Sequence, residues 1–331
     1  MEKNIKNIGR NNILLLVLET IVLVVIFSLF VRTIEGTLGN PNVTVTTYLE
    51  VGTVAPEILN VSIENGSSSI TLIPNSTKAI SCVGLIRDYN NETNIHNASA
   101  EFYINTSSYG DSDDNNTHYT NSTCIVNRSF NNWSGVDDDS YHALANCTFQ
   151  IQYYANGGIW NCTIYINDSD GLNATGNNSI NVSDLIAIDM PNSISYGTVN
   201  ATYMSLENVT NISNAGNVGI NLSLKGWAID EGDGNAMNCS QGSIRNISVE
   251  HEKFNVTNST AGILTLNQTI LNYTNLTSTS TVIFEFPLLA RINDGYNDAA
   301  NATYWRIYVP SGVAGSCQGN IQFGATQSEA D

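Results

Sequence analysis

The chain has 331 residues and a formal charge of −18, from 12 Lys and Arg against 30 Asp and Glu. That balance argues against a nucleic-acid binder, which needs a basic face. Charged residues are only 13% of the chain, and 47 Asn, 32 Ser and 30 Thr supply the polarity instead. With 42% hydrophobic residues there is enough apolar surface for real cores, so a wholly disordered chain is excluded.

Residues 1–12 carry Lys3, Lys6 and Arg10 and read as a cytoplasmic tail. Residues 13–31 are apolar apart from Glu19, Thr20 and Ser28. As a helix this run would be about 28 Å long, close to the ~30 Å hydrocarbon core of a bilayer. Positive charge stays inside, so the N-terminus is expected in the cytoplasm and the rest of the chain outside. A cleaved signal peptide is the competing reading. Its apolar region is usually shorter and needs a small-residue cleavage site, and the run shows neither. The expected localisation is therefore the cell surface, with one membrane-spanning signal anchor as the membrane contact. Glu19 is costly inside such a helix.

Residues 32–55 read as a stalk. Within them Val43, Val45, Leu49 and Val51 alternate, which predicts a strand over 42–54. It is either an extra strand of the chain's own domain or a donor strand that completes a neighbouring subunit's sheet.

Beyond residue 40 the pattern is β throughout, with short alternating runs separated by Asn, Gly, Asp and Ser clusters. The expected fold class is all-β: two β-sandwich domains, A at 56–183 and B at 184–331. The polar stretch Thr175 to Ser183 reads as their linker. Strands are expected at 56–63, 78–86, 145–153 and 159–167 in domain A. Trp305 to Pro310 and Ile321 to Phe323 look like the closing strands of domain B.

The chain holds 29 Asn-x-Ser/Thr sequons. Ser and Thr total 62 residues, so chance would place about 9 of the 47 Asn in sequons. The excess of about threefold points to N-glycosylation of an exported protein. Candidate glycosylation sites include Asn42, Asn60, Asn65, Asn75, Asn146, Asn161, Asn167, Asn221, Asn246 and Asn301. A glycan must face solvent, and side chains alternate along a strand. Asn161 and Asn167 outward then turn Trp160, Cys162, Ile164 and Ile166 inward. Asn146 outward turns Cys147, Phe149 and Ile151 inward. Cys82 shares a face with Ile80 and Ile86, and Cys124 points inward between Asn121 and Asn127.

The six Cys lie at 82, 124, 147, 162, 239 and 317, four in domain A and two in domain B. An even number in each domain of an exported protein favours disulfides. Cys239–Cys317 is the one pairing within domain B, and domain A allows three.

Tyr153 to Ile166 resembles the penultimate strand of immunoglobulin-like modules, including the PKD-type domains of surface proteins. Asn214-Ala215-Gly216-Asn217, between the alternating runs 209–213 and 218–224, resembles the N-x-G-N hairpin of archaeal S-layer-type and CARDB-like immunoglobulin modules, where the Asn/Gly pair turns one strand into the next. Sequon density, acidity and the short anchor are also similar to archaeal cell-surface glycoproteins. The immunoglobulin resemblance implies Cys82–Cys162 as the bridge between the sheets, which leaves Cys124–Cys147.

No chemistry-bearing motif is found. There is no C-x-x-C, H-E-x-x-H, G-x-S-x-G, P-loop or G-x-G-x-x-G, and His251 reads as an exposed strand residue. Acidic clusters at Asp111–Asp114, Asp137–Asp139, Asp168–Asp170 and Asp230–Asp233 are the sole candidates for Ca²⁺ and read as solvated loops. No catalytic, cofactor or metal residue is assigned. The expected role is non-enzymatic: a structural envelope protein that self-associates into a filament or lattice. An adhesin or carbohydrate-binding module is the alternative, and a surface hydrolase ranks last. Glycan-free contact surface is expected at Ala290 to Ala300 and Ser311 to Asp331, with Tyr296 as a candidate binding aromatic.

Overall fold

The computed structural model describes residues 16–25, 44–295 and 299–328. The 1–12 tail, the ends of the 13–31 run, Asn42 and Tyr296 lie outside the described residues. The chain divides into one unit at 1–52 and a second at 53–331.

In the first unit residues 16–25 are helical (α1), and Thr20 Oγ1 donates to the carbonyls of Leu16 and Val17 at 2.9 Å each. Among the described residues no helix is long and apolar enough to cross a membrane. Residues 44–52 form no strand, against the expectation from their alternation. Val45, Tyr48, Leu49 and Val51 are 74–92% exposed. Alternation supplies a strand's faces but not the paired edge that a strand needs.

The second unit is all-β and sandwich-like. Its first half runs β1 (Glu57–Ile63), β2 (Ser69–Ile70), β3 (Thr77–Arg87), β4 (Ile95–Ile104), β5 (His118–Asn121), β6 (Ile125–Asn127), β7 (His142–Gln152), β8 (Gly158–Asp168) and β9 (Asn173–Val182). One sheet has the order β1-β3-β7-β6, and the facing sheet β2-β9-β8-β4-β5. The strand alternation follows the sequence: Ile80, Cys82, Cys147, Phe149, Ile151, Trp160, Cys162 and Ile164 are all buried. Trp160 stacks on Phe102 at 4.9 Å in the centre of this core.

Two disulfides stitch the half together. Cys82–Cys162 joins β3 to β8 across the sandwich, and Cys124–Cys147 ties the β5–β6 connection to β7. Cys82 and Cys147 stand directly opposite each other in the β3–β7 ladder, yet each bonds elsewhere.

The stretch read as a linker is β9, paired with β8 along its length. Its outward residues are polar while Ile180 and Val182 enter the core. A strand with one wet face and many sequons looks like a linker in composition.

The second half runs β10 (Ile188–Asp189), β11 (Asn208–Asn214), β12 (Ile220–Trp227), β13 (Asn235–Gly242), β14 (Asn246–Ser248), β15 (Glu252–Asn255), β16 (Thr274–Asn275), β17 (Thr281–Leu288), β18 (Ala300–Ile307), β19 (Val313–Gln318) and β20 (Asn320–Gln327). Sheet β10-β11-β18-β15-β16 faces β17-β12-β20, and a third sheet, β14-β13-β19, continues from the second. Trp305, Phe254, Phe286 and Leu222 fill the core between the first two. Cys239–Cys317 links neighbouring strands β13 and β19. A short helix, α2 (Leu266–Asn272), begins with a capping box between Thr265 and Gln268.

The expected Asn/Gly hairpin is not formed. β11 pairs with β10 and β18, whereas β12 pairs with β17 and β20 in the opposite sheet. Residues 215–219 therefore arch across the core. Ile212 and Leu222 enter it from opposite sides, and five residues are long enough to span the ~10 Å between packed sheets. Gly216 is needed for a close approach: a Cβ there would lie 1.9 Å from the Leu185 carbonyl oxygen.

This arch also joins the halves. The buried Asn217 donates from Nδ2 to the carbonyls of Ala155 (2.8 Å) and Ser183 (3.3 Å), and accepts from the Leu185 amide at 2.6 Å. Arg291 Nε donates to the Asn214 carbonyl at 2.9 Å, and Tyr153 donates to Asp294 at 2.9 Å. Of residues 290–295, expected to offer contact surface, Arg291 is buried in this junction and Asp294 bonds Tyr153 there, while Ile292 to Gly295 stay exposed. Asn217→Ala leaves the Leu185 amide and the Ala155 carbonyl unpaired. Chemical denaturation should show a loss of about 1–3 kcal/mol. A change within experimental error would mean the junction does not hold the halves.

Candidate functional site

The sequon asparagines are distributed along the strands in a regular way. A sequon places Asn at i and Ser/Thr at i+2, which on a strand is one face. Of the 29 sequon asparagines 28 are described, and none is buried. Asn60, Asn65, Asn75, Asn146, Asn246 and Asn301 are exposed, and Asn161, Asn167 and Asn221 are half-buried. The two buried asparagines, Asn214 and Asn217, are the structural residues of the arch and neither begins a sequon. Cys147, Cys162 and Cys239 each occupy the middle position of a sequon. Consecutive residues of a strand thus send an amide to solvent and a sulfur into the core.

The acidic clusters turn inward on their own loops. Asp111 accepts from the Ser108 amide (2.8 Å), Asp114 from Asn116 (2.8 Å), Asp139 from Tyr141 (2.8 Å), Asp168 from Leu172 (2.7 Å) and Asp233 from Ile229 (2.8 Å). These amides hold Asp111, Asp139 and Asp233 below the ordinary carboxylate range. Among the described residues no three His, Cys, Asp or Glu side chains converge as a metal set.

Ser107, His118 and Glu101 fall in line, with Ser107 Oγ 3.3 Å from His118 Nδ1 and Glu101 Oε2 3.2 Å from Nε2. The Ser107 hydroxyl donates to Asp111 at 3.0 Å, so its one proton is directed away from the histidine. An activated nucleophile needs the opposite sense. His251 is half-buried in a 3₁₀ turn, edge-on to Tyr308 at 5.3 Å, and not an exposed strand residue.

A site that sequence reasoning marked only along one wall, within the expected contact surface Ser311 to Asp331, lies in the second half. The segment 190–196 passes over the second core and leaves a groove of about 670 Å³ against β20. Met190, Ile194, Met237 and Phe323 form its walls, and Gln318 and Gln322 line it too. At its floor is Glu252, 2% exposed, whose Oε1 accepts from the Tyr196 hydroxyl at 2.7 Å. Among the described residues this is the carboxylate's one side-chain hydrogen bond. No Lys, Arg or His lines the groove. Burial without a cation pushes Glu252 up to about 7, and the Tyr196 hydrogen bond offsets this in part. Burial and the neighbouring carboxylate push Tyr196 well above its ordinary value. Glu252 and Tyr196 are 56 residues apart, so no local pattern announces the pair.

The Glu252 shift is a stability term of defined sign. Its folded pKa lies above the ordinary 4.5. The protonated fold is favoured below 4.5, and this advantage is lost as pH rises through 7. Glu252→Gln keeps an acceptor for Tyr196 and removes the charge. It is expected to be more stable than the parent above about pH 7 by up to about 3 kcal/mol, and similar at about pH 4. Parallel denaturation curves at these two pH values check this, and equal offsets at both would contradict it.

No family model and no curated protein matches the chain. Among solved structures, a chain of a chaperone–tip adhesin complex of CFA/I fimbriae aligns over 83% of this chain and 84% of its own, at 12% identity and a TM-score of 0.28. A chain of the chaperone–tip adhesion subunit pre-assembly complex of Acinetobacter baumannii Csu pili aligns over 78% and 96%, at 11% identity and a TM-score of 0.33. A carbohydrate-binding module of the β-sandwich superfamily aligns over 82% and 97%, at 10% identity and a TM-score of 0.24. At TM-scores this low none of these carries an argument about function.

Proposed function

We propose that the chain is an exported, heavily N-glycosylated, non-enzymatic cell-surface protein, anchored by residues 13–31, with a structural role in the envelope. The observation that carries this reading is the distribution of asparagine: a threefold excess of sequons, every described one accessible, and the buried asparagines outside the pattern. The first half is read as an immunoglobulin-like module. In support, β1-β3-β7-β6 faces β9-β8-β4-β5 and a disulfide crosses from β3 to β8. The second half is read as a more distorted module of the same class.

Self-association rests on 44–52, an apolar alternating segment without a strand of its own. It is read as a donor strand for a neighbouring subunit's sheet edge. Deleting 42–54 is expected to abolish multimers while leaving the fold intact, as judged by size analysis and circular dichroism. Multimers that persist would remove the donor strand from the account. Negative-stain microscopy of the native protein extracted from its own membranes tests the structural role. Fibres or lattices are expected, and isolated two-lobed particles would overturn it. A partner-binding module is the second reading, favoured by the groove over Glu252.

A further inference from the structure

Glu252 differs from the other carboxylate of the second half that takes part in a buried network. Glu207 accepts from the Tyr273 hydroxyl, and Tyr273 also meets the Arg306 guanidinium, so cation and carboxylate share one network. Glu252 has no such cation. The next residue, Lys253, is also buried but hydrogen-bonds Asn275 and lines a different cavity, with His251 and Tyr273. A carboxylate taken out of water without a partner is costly. It opens instead onto a groove whose volume falls in the range of small-molecule and side-chain pockets.

The groove's lining matches the carboxylate. The Tyr196 hydroxyl fixes one oxygen, leaving the other for an incoming donor. Met190, Met237 and Ile194 offer an apolar sleeve, with thioethers that adapt to a flexible stem. Gln318 and Gln322 in the lining carry side-chain carbonyls, which accept from N–H groups. Neither Asn192 nor Asn320 in the lining begins a sequon. In a chain with 29 sequons this groove carries none on its walls.

We infer that the groove binds a ligand presenting an ammonium group on an aliphatic stem, with Glu252 as its counter-ion and Tyr196 orienting the carboxylate. A free aliphatic amine and a lysine side chain of a partner share this chemistry. The inference does not depend on how the chain assembles.

The test is calorimetric titration of the full chain in detergent at about pH 8, with hexylamine, hexan-1-ol and Nα-acetyl-lysine methylamide as probes. At least one amine is expected to saturate a single site, with hexan-1-ol weaker by about tenfold or more. Glu252→Gln should weaken the amine by a similar factor while leaving hexan-1-ol unchanged, since the sleeve is intact. Tyr196→Phe should have a smaller effect of the same sign. Binding by hexylamine alone supports a small amine, and binding by the lysine derivative alone supports a partner's side chain. Binding should weaken below about pH 6, where Glu252 holds its proton. No binding by either amine, equal binding of hexan-1-ol, or unchanged affinity in Glu252→Gln would each overturn the inference.

Discussion

Replacing Arg306 with methionine is expected to destabilise the second half of the β unit by about 3–5 kcal/mol. Arg306 is fully buried in β18. Its Nη1 donates to the Ser205 carbonyl at 2.8 Å, and Nη2 donates to the carbonyls of Thr260 (2.5 Å) and Gly262 (3.0 Å). Nε donates to the Tyr273 hydroxyl at 3.0 Å, and Tyr273 in turn donates to Glu207. One guanidinium thus holds three separate stretches of chain: the approach to β11, the excursion 256–265 and the end of α2. Methionine fills much of the volume but leaves three carbonyls without their donor and Glu207 without its cation. Arg306→Lys should recover only part of the loss, because an ammonium cannot span the planar fork of partners. Chemical denaturation gives the magnitude. Limited proteolysis should show new cleavage within 256–265, with the first half still protected. A loss below about 1 kcal/mol would mean that the guanidinium is no keystone.

Removing the Cys82–Cys162 bridge by paired alanine substitution is expected to cost about 4 kcal/mol, and removing Cys124–Cys147 about 3 kcal/mol. The order follows from the loops closed in the unfolded chain: the separations are 80 and 23 residues. Native packing adds to the first term. Both sulfurs of the longer bridge are fully buried, in the core that also holds Phe102, Phe149 and Trp160. Smaller side chains there leave a cavity in close-packed surroundings. Thermal denaturation of the two double mutants, compared with the parent under non-reducing conditions, checks both the size and the order. A reversed order would show that local strain or residual unfolded-state structure outweighs chain entropy.

Alternation was the most legible signal. Sequon asparagines mark the wet face, and their neighbours Cys147, Phe149, Trp160 and Cys162 mark the core face. The strands around them fall within a few residues of expectation. Signals that depend on where an edge goes were not legible. Asn214-Ala215-Gly216-Asn217 has the composition of a hairpin turn, but whether two alternating strands pair side by side or face each other across a core is decided by their neighbours. In this fold β18 and β20 claim the edges. β9 read as a linker because its outward residues are Asn, Thr and Ser. The α2 start was present as Thr265-x-x-Gln268 but belongs to a helix of seven residues. The Glu252 groove had no local signal, because it assembles from segments near 190, 252 and 320.

The pH behaviour joins the two kinds of acidic group. The loop carboxylates Asp111, Asp139 and Asp233 are held below their ordinary range, so their contribution is present above about pH 4 and lost as pH falls through their folded values. Glu252 acts in the other direction, with its advantage lost as pH rises through 7. Between them these groups favour a stability maximum in mildly acidic solution.

We propose that the polar surface of this β-sandwich-like protein carries glycans outside the cell. Glycopeptide mass spectrometry of the protein isolated from its native membrane tests it most directly. Glycan is expected on many of the exposed sequon asparagines, Asn65, Asn75, Asn146 and Asn246 among them, and cystine linkages at Cys82–Cys162, Cys124–Cys147 and Cys239–Cys317. Unmodified asparagine at all of these sequons, with six free thiols, would contradict it.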